Sequence, residues 1–279
     1  MSLVKVLVTG AGGFLGRALG TALTDRGAEV DGIDAETDLR DTSSIREVLS
    51  SCSPDAVVHL GGVSGPMVAA DDPPYVTAVN AVGTANVLDA CRRVTPSPRV
   101  VLASSVAVVE QRGASRATSV YAATKRFGED IAAVFAASGL RVTVARIGSL
   151  YGPGRRTAHI ITDLAGELRA AGRARIVRNA HEPLVHVDDA ARSLARLALI
   201  EPVQQRPYYV VQQLLGHAAI AEHVAKALGM ESQVEMIDAE PVCWAEPLDN
   251  RPLVADTGVD FAVRPADGIA ALLDPAPPT

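Results

Sequence analysis

Tyr121 and Lys125 are the side chains in this sequence whose types and spacing are best suited to chemistry. The stretch Tyr121-Ala-Ala-Thr-Lys125 places a phenol four residues before an ammonium, in a chain whose other lysines are Lys5 and Lys226. On a helix such side chains share a face, so the cation can lie near the phenol and favour the phenolate. A tyrosine tuned in this way can act as a general acid or base near neutral pH. The alternative is a Tyr–Lys pair on the surface of an amphipathic helix.

A glycine-rich turn near the N-terminus could hold the anionic part of a cofactor. The sequence Gly10-Ala-Gly-Gly13-Phe-Leu-Gly16 lies between the first predicted strand and the first predicted helix. Glycines there allow a tight turn and let the backbone approach a pyrophosphate, and the helix N-terminus attracts the negative charge. Asp34 ends the second predicted strand, where a carboxylate would accept both hydroxyls of an adenosine ribose and repel a 2′-phosphate. The sequence therefore favours NAD over NADP, although Arg40 lies near enough in sequence to keep NADP as an alternative.

The elements that must position these residues follow from the hydrophobic pattern. Short β-branched runs alternate with helical patterns in the first half of the chain, which predicts βαβ units on a parallel sheet covered on both faces. The predicted strands are 5–9, 29–33, 56–60, 99–103 and 141–146, and the predicted helices are 16–26, 43–51, 79–93 and 120–137. Later in the chain we expect helices over 160–171, 188–199 and 220–227, and strands over 174–178 and 208–211. From Glu240 onward the chain is Pro-rich, and we expect it to be mostly irregular.

The predicted fold class is α/β, a doubly wound parallel Rossmann sheet with a smaller C-terminal substrate-binding lobe. Residues 1–147 together with 183–212 are expected to form the NAD-binding Rossmann domain. Residues 148–182 together with 213–279 are expected to form the substrate-binding lobe. The lobe would close over the carboxyl ends of the strands, where open α/β sheets bind their ligands.

Composition excludes several classes of function. The 279 residues are 48% apolar, which is ample for a packed interior. A net charge of -6 gives no electrostatic reason to expect nucleic acid or an anionic membrane as a partner. Three widely spaced cysteines suggest neither a disulfide framework nor a zinc site, and the N-terminal apolar run is too short for a signal sequence or a membrane span. We therefore expect a cytoplasmic protein with a small-molecule substrate and no metal.

Taken together, these motifs resemble the extended short-chain dehydrogenase/reductase family. The resemblance is to its NAD-dependent epimerase/dehydratase group, which acts mostly on nucleotide sugars. It covers nearly the whole chain. Further matching motifs are Asp38-Leu39, His59-Leu60-Gly61-Gly62, Asn80 with Gly83-Thr84, Ser104-Ser105, Tyr151-Gly152-Pro153-Gly154 and His186-Val187-Asp188-Asp189.

The resemblance implies a catalytic role for three side chains. Ser105 would polarise the substrate oxygen, Tyr121 would move its proton, and Lys125 would lower the pKa of Tyr121 and hold the nicotinamide ribose. Such a set suits hydride transfer at a secondary alcohol, since a phenolate removes the hydroxyl proton while a hydroxyl donor stabilises the developing oxyanion. Ser105 follows a predicted buried strand, so its hydroxyl can open onto a cleft. A capping or turn serine is the alternative.

The resemblance also implies binding residues and an assembly. The cofactor contacts would be Gly10, Gly13, Phe14, Leu15, Gly16, Asp34, Asp38, Leu39, Leu60, Gly61, Gly62, Asn80, Tyr121 and Lys125. The candidate substrate contacts are Ser149, Arg155, Arg156, His186 and Arg251. Of these, His186 would act by packing or hydrogen bonding rather than as a metal ligand. A homodimer would form through the helices over 80–93 and 120–137.

Three positions depart from the family pattern. Val106 and Ala107 stand where the 4,6-dehydratase branch has an Asp-Glu pair, which disfavours dehydration because neither side chain can exchange a proton. Glu182 aligns with an arginine that commonly grips a diphosphate, and a carboxylate would repel a phosphate there. Ser149 replaces the usual asparagine, as in some dehydrogenases of free sugar acids.

The expected function is that of an NAD-dependent oxidoreductase or epimerase acting on a secondary hydroxyl or ketone of a sugar or nucleotide sugar. Simple dehydrogenation or keto reduction is ranked slightly above epimerisation, because the diphosphate clamp is altered. One alternative is a dehydrogenase of a free sugar or sugar acid without a nucleotide. An alternative of another class is a non-catalytic NAD-responsive binding protein, since the fold alone does not imply chemistry.

Overall fold

A computed structural model describes residues 3–63, 72–109, 119–201, 207–231, 233–239, 244 and 246–274. In chain order its elements are β1 (Lys5–Thr9), α1 (Phe14–Thr24), β2 (Glu29–Ile33), α2 (Thr42–Cys52), β3 (Ala56–His59), α3 (Pro73–Thr77), a π-helix (Ala78–Val82), α4 (Gly83–Arg93), β4 (Arg99–Ser105), a 3-10 helix (Val106–Val108), α5 (Val120–Ala137), β5 (Val142–Ile147), β6 (Ser149–Tyr151), α6 (Ile160–Ala171), β7 (Ala174–Val177), β8 (His181–His186), α7 (Val187–Leu199), β9 (Tyr208–Val210), β10 (Gln213–Gly216), α8 (His217–Ala227), β11 (Val234–Ile237), α9 (Arg251–Thr257) and α10 (Pro265–Leu273).

The central sheet has six parallel strands in the order β2-β1-β3-β4-β5-β9. Strand β3 is buried along its whole length, and β1 is buried at all but its first residue, as expected when helices cover both faces of a sheet. The chain leaves β1 toward β2 and then crosses back to β3, so the strand order reverses between β1 and β3. Open sheets of this kind bind ligands at the carboxyl ends of the strands beside such a reversal. The predicted α/β doubly wound fold is confirmed.

Two hydrophobic clusters cover the two faces of this sheet. On one face α1 contributes Leu15, Leu19 and Leu23, spaced four residues apart, to a cluster that includes the buried residues of α7. On the other face the cluster contains buried side chains of α2 and α4, among them Leu49 and Leu88. The sheet is thus held rigidly from both sides, which fixes the positions of the loops at its carboxyl edge.

A smaller group of elements packs around a third hydrophobic cluster. Its buried side chains come mainly from α6, α8 and β7, and Ile269 of α10 joins them. Strand β8 pairs with β6 in parallel and with β10 in antiparallel orientation, and β7 pairs with β11. The third cluster lies outside the central sheet, and the exact division of the chain into two domains stays a prediction.

The end of the chain differs from the sequence-based expectation. Instead of a mostly irregular region after Glu240, the described part contains α9 and α10. Both helices have a proline in their first turn, where a missing N–H removes no helical hydrogen bond. Pro252 and Pro265 therefore lie in the first turns of helices here. In the first half of the chain, the predicted helix 79–93 is divided into the π-helix and α4.

None of the helices in the described ranges is both long enough and apolar enough to cross a membrane.

Candidate active site

A cavity of about 1030 Å³ opens at the carboxyl edge of the central sheet. It is lined by the segments that follow β1, β2, β3, β4 and β5, as well as by residues of α5, β7 and β8. The predicted site residues that line it are Gly10, Gly13, Phe14, Leu15, Gly16, Asp34, Asp38, Leu39, Leu60, Gly61, Gly62, Ser105, Tyr121, Lys125, Ser149, Arg155 and Arg156. Side chains distant in sequence are therefore brought together as the spacing of the strands predicts.

Glycines shape one wall of the cavity. Gly10 has φ +73°, and a Cβ there would lie 3.1 Å from the Gly61 backbone, so the loops after β1 and β3 touch. A Cβ on Gly16 would lie 2.1 Å from the carbonyl oxygen of Gly10, so only glycine lets α1 begin this close to the turn. The first turn of α1 contains no acidic residue, and its N-cap, Gly13, makes no side-chain cap. Its N–H groups are thus available to an anionic ligand.

Asp34 lies beside this glycine turn. A Cβ on Gly12 would lie 2.1 Å from Oδ2 of Asp34, so the carboxylate rests directly on the loop. Arg40 does not pair with Asp34. Its Nη2 donates to Asp38 at 2.7 Å, and its guanidinium lies 5.5 Å from the Tyr75 ring centroid. The Arg40 guanidinium is therefore already occupied.

Ser105, Tyr121 and Lys125 meet at the opposite end of the same wall. Ser119 caps α5 by accepting from Ala122 N at 3.1 Å, which starts the helix one residue before Tyr121. Lys125 follows one turn later, with its Nζ 5.9 Å from the Tyr121 ring centroid and 3.0 Å from the carbonyl oxygen of Ala103. Ser105 ends β4, its Oγ accepts from Ala107 N at 3.2 Å, and its hydroxyl lowers the pKa of Tyr121. The three polar groups are thus held by a strand end and a helix that pack together.

Burial sets the charges of this trio. It lowers the pKa of Lys125 to about 8, so the side chain is mostly charged at neutral pH and loses its proton as the pH rises through about 8. Burial raises the pKa of Tyr121, and the hydrogen bond from Ser105 lowers it only in part. The expected lowering of the Tyr121 pKa by Lys125 is therefore not seen in this structure, where the ammonium is directed at the Ala103 carbonyl.

His59 and Asn80 support the loop after β3 from outside the cavity. Oγ1 of Thr9 accepts from Gly61 N at 2.9 Å and lies 2.7 Å from His59 Nδ1, and His59 Nε2 lies 3.0 Å from Oγ1 of Thr84. Asn80 binds both backbone groups of Val63, accepting from N at 2.7 Å and donating to O at 3.0 Å. Asn80 does not line the cavity. It instead holds the backbone of Val63, which is a lining residue.

Ser149, Arg155 and Glu182 lie at the end of the cavity that faces the smaller cluster of elements. Oγ of Ser149 lies 2.9 Å from His159 Nε2, and Ser149 also hydrogen-bonds Glu182. Arg155 donates to the carbonyl oxygens of Thr157 and Ala158, each at 3.2 Å, and to that of Leu150. The guanidinium of Arg155 is thus used to hold its own loop.

Two predicted substrate residues do not reach the cavity. His186 is buried against the Tyr151 ring at a centroid distance of 5.3 Å, and its Nδ1 accepts from Asp188 N, because it caps α7. Arg251 is 87% exposed and pairs with Asp249 at 2.7 Å. Both positions are explained by helix ends, since His186 precedes α7 and Arg251 begins α9.

The cavity also contains residues that were not predicted from the sequence. Tyr75 lines it near Arg40, His217 lines it near Glu182, and Trp244 lines it as well. No motif signals these positions, because each reaches the cavity only through the packing of elements that are remote in sequence. Within the described residues, no group of three or more His, Cys, Asp or Glu side chains is arranged to hold a metal ion.

Comparisons with known proteins agree with this geometry. The model of the NAD dependent epimerase/dehydratase family matches residues 6–211. The chain is 31% identical over 185 residues to UDP-glucuronate 4-epimerase 4 of Arabidopsis thaliana, covering 54% of this chain and 42% of the relative. It is 30% identical over 217 residues to 2-alkyl-3-oxoalkanoate reductase of Stenotrophomonas maltophilia, covering 67% of this chain and 63% of that protein. The alignment with the plant epimerase thus covers less than half of that protein's length.

Solved structures show the same fold. UDP-glucose 4-epimerase of Thermus thermophilus, in complex with NAD, superposes with a TM-score of 0.80 at 24% identity, covering 96% of this chain and 97% of that one. UDP-glucuronic acid 4-epimerase from Bacillus cereus, in complex with UDP-glucuronic acid and NAD, gives a TM-score of 0.80 at 18% identity, with 96% and 98% coverage. Because the family model spans most of the sequence, the chain belongs to the NAD dependent epimerase/dehydratase family.

Proposed function

We propose that this protein is an NAD-dependent oxidoreductase or epimerase that acts on a secondary hydroxyl or ketone of a sugar or nucleotide sugar. The observation that carries the proposal is the meeting of Ser105, Tyr121 and Lys125 in one cavity with the glycine turn after β1. NAD, when bound, accepts or returns a hydride. Tyr121 would exchange the hydroxyl proton, and Ser105 would donate to the substrate oxygen as negative charge develops on it.

The chain's own residues fit NAD. The N–H groups of the first turn of α1 would bind the pyrophosphate, and Asp34 would accept the adenosine ribose hydroxyls. NADP is disfavoured, because Asp34 would repel a 2′-phosphate and Arg40 is already paired with Asp38. Lys125 would hold the nicotinamide ribose. NAD complexes of the Thermus and Bacillus epimerases support this choice of cofactor.

The same residues would also support reduction or oxidation of a substrate without net epimerisation. The similarity to a 2-alkyl-3-oxoalkanoate reductase favours keto reduction as a second form of the chemistry. A binding protein without catalysis is disfavoured, since its function would not require the Ser–Tyr–Lys set. We further propose that the protein is a cytoplasmic homodimer. Free thiols at Cys52 and Cys91 fit a reducing compartment, whereas Cys243 lies outside the described residues.

Removal of one hydroxyl tests the proposed chemistry. We expect Tyr121→Phe to lower kcat by about 10²–10⁴, because the proton-transferring group is lost. NAD affinity should stay within a few-fold of wild type, since the glycine turn and Asp34 are unaltered. Turnover is followed by NADH absorbance and, for epimerisation without net NADH, by the isomer composition in NMR spectra, over a panel of UDP-sugars, free sugars and sugar acids.

Tyr75→Phe is the matched control, because it removes a hydroxyl from another cavity tyrosine, which lies against Arg40. Its kcat should remain near that of wild type. Wild-type kcat in Tyr121→Phe would contradict the mechanism. No turnover on the whole panel, combined with a protein partner that binds only when NAD is present, would instead support the binding-protein alternative.

A further inference from the structure

The polar side chains at the Glu182 end of the cavity form a hydrogen-bond chain with one direction. Ile161 N donates to Nδ1 of His159 at 3.3 Å, so this nitrogen carries no proton. Burial lowers the pKa of His159 to about 3, which keeps the ring neutral and leaves its single proton on Nε2. That proton is donated to Oγ of Ser149, 2.9 Å away. The hydroxyl of Ser149 is thereby left free to act on Glu182, whose pKa it lowers.

Glu182 is the acceptor at the end of this chain. Its side chain is 28% exposed, lines the cavity from β8 and lies 4.0 Å from Nε2 of His217. Burial raises the pKa of Glu182, while the Ser149 hydrogen bond and Arg155 favour its charged form. The Ser149 bond uses only part of the acceptor capacity of a carboxylate, which has two oxygens. Glu182 therefore keeps acceptor capacity for a ligand in the cavity that it lines.

The cation beside Glu182 is engaged with its own loop. Each nitrogen of the Arg155 guanidinium donates one N–H to a backbone carbonyl oxygen, so two of its five N–H groups remain for a ligand. Burial lowers the pKa of His217, which favours the neutral ring. Arg156 lines the cavity but is exposed at its rim. A diphosphate next to Glu182 would meet a carboxylate, and the partly buried cation beside it, Arg155, is already bound to the backbone of its own loop.

We propose that Glu182 and Ser149, with Ser149 oriented from behind by His159, form a subsite that binds the hydroxyls of an uncharged free sugar or polyol, and that this subsite excludes a nucleotide diphosphate. Hydroxyl-to-carboxylate hydrogen bonds are charge-assisted and therefore strong, whereas a phosphate beside the same carboxylate is repelled. An uncharged sugar also loses less hydration on entering the cavity than a diphosphate does. This inference rests on the proposed function and specifies its substrate class.

The test compares binding and turnover in the NAD-loaded protein. Calorimetric titrations with UDP, UDP-glucose, glucose and galactose are made on wild type, Glu182→Gln, Glu182→Arg and the control Glu222→Gln, which removes an exposed carboxylate on α8. We expect wild type to bind the free sugars and not UDP. Glu182→Arg should bind UDP at least about tenfold more tightly than wild type does. Glu182→Gln, which is isosteric and should fold, should raise the KM for a free sugar by about tenfold with a smaller change in kcat.

The outcomes separate this inference from the proposed function. Micromolar binding of UDP or UDP-glucose to wild type, or an unchanged free-sugar KM in Glu182→Gln, would overturn the subsite while leaving the Tyr121 chemistry intact. If no sugar is turned over but wild type binds free sugars and Glu182→Arg gains UDP binding, the subsite is supported and the proposed chemistry fails. Glu222→Gln should match wild type in every titration.

Discussion

At the scale of single residues, burial decides the charge of the groups around the cavity. The rings of His59 and His159 are both buried, and burial lowers the pKa of each to about 3. Lys125 adds to the lowering at His59, because the two positive charges would repel each other. A neutral His59 ring donates from one nitrogen and accepts at the other, so it can link Thr9 and Thr84. A charged ring has two donors and no acceptor.

The neutral state of His59 predicts a pH dependence of stability. Its pKa is about 3 in the folded protein and about 6.5 in an unfolded chain, so the unfolded state binds the extra proton between these values. Stability from this group is therefore present above about pH 6.5 and is lost as the pH falls toward 3. We expect His59→Asn to reduce the slope of unfolding free energy against pH by up to about 1.4 kcal/mol per unit between pH 6.5 and 4.

Urea unfolding at several pH values measures this slope. His223→Asn is the control, since this histidine of α8 is partly exposed and lies away from the central sheet. An equal slope in wild type and His59→Asn would show that His59 does not carry the effect. The absolute stability of His59→Asn should also fall, because Thr9 and Thr84 lose their shared partner.

Part of the site could be predicted from single residues and part could not. Tyr121 and Lys125 could be predicted to share a helix face from their spacing, whereas Ser105 was added to them by the family resemblance. The hydrogen-bond chain from His159 to Glu182 could not be predicted, since it depends on the pairing of β6 with β8. The same limit applies to His217 and Trp244.

At the scale of elements, one buried carboxylate ties α7 to the segment after α9. Asp189 is fully buried and accepts from Ala262 N at 2.9 Å and from Val263 N at 3.2 Å, and it also pairs with Arg192. Burial raises the pKa of Asp189, and these partners lower it in part. The carboxylate thus supports the backbone of a segment more than seventy residues later in the sequence.

Removal of this carboxylate should loosen the C-terminal segment. We expect Asp189→Ala to destabilise the protein by about 3 kcal/mol, because two backbone N–H groups and one guanidinium lose their acceptor. The measurement is the midpoint of thermal or urea unfolding. Asp188→Ala, next along α7 with a side chain 57% exposed, should change stability by less than about 1 kcal/mol. Equal effects of the two substitutions would contradict the anchoring role of Asp189.

The elements that the sequence failed to predict were missed for two physical reasons. Strand β8 contains Pro183 and pairs with β6 and β10, so its extended form is set by partners distant in sequence. Helices α9 and α10 were not predicted, because Pro252 and Pro265 suggested irregular structure. In the fold both prolines lie in the first turn of a helix. In contrast, α5 and α6 were predicted with their observed limits, because Ser119 and His159 cap amphipathic patterns.

At the scale of the whole molecule, the proposed homodimer has a candidate surface on the π-helix and α5. Val82, Phe127 and Val134 are 49%, 43% and 60% exposed there, which is unusual for large apolar side chains. These are the helices through which the family resemblance implies dimerisation. Burial of the patch against a second copy would explain its composition.

A charge in this patch tests the assembly. We expect Phe127→Glu to convert a dimer into a monomer, because a carboxylate would be buried in an apolar interface without a partner. Light scattering coupled to size-exclusion chromatography measures the mass. Met236→Glu on β11, also exposed but outside the patch, should leave the mass unchanged. A monomeric wild-type protein, or a dimeric Phe127→Glu variant, would contradict this surface.

The anchoring of the last helices also bears on where the chain could be cut. The family match ends at residue 211, yet Leu253 and Val259 lie fully or almost fully buried in the same cluster as the central strands. A fragment ending at 211 would expose the apolar residues that pack against these side chains. It would also leave Asp189 without its backbone donors. The match to the family model therefore ends before the packing around the central sheet does, and α9 and the residues just after it belong to the same hydrophobic core as the central strands.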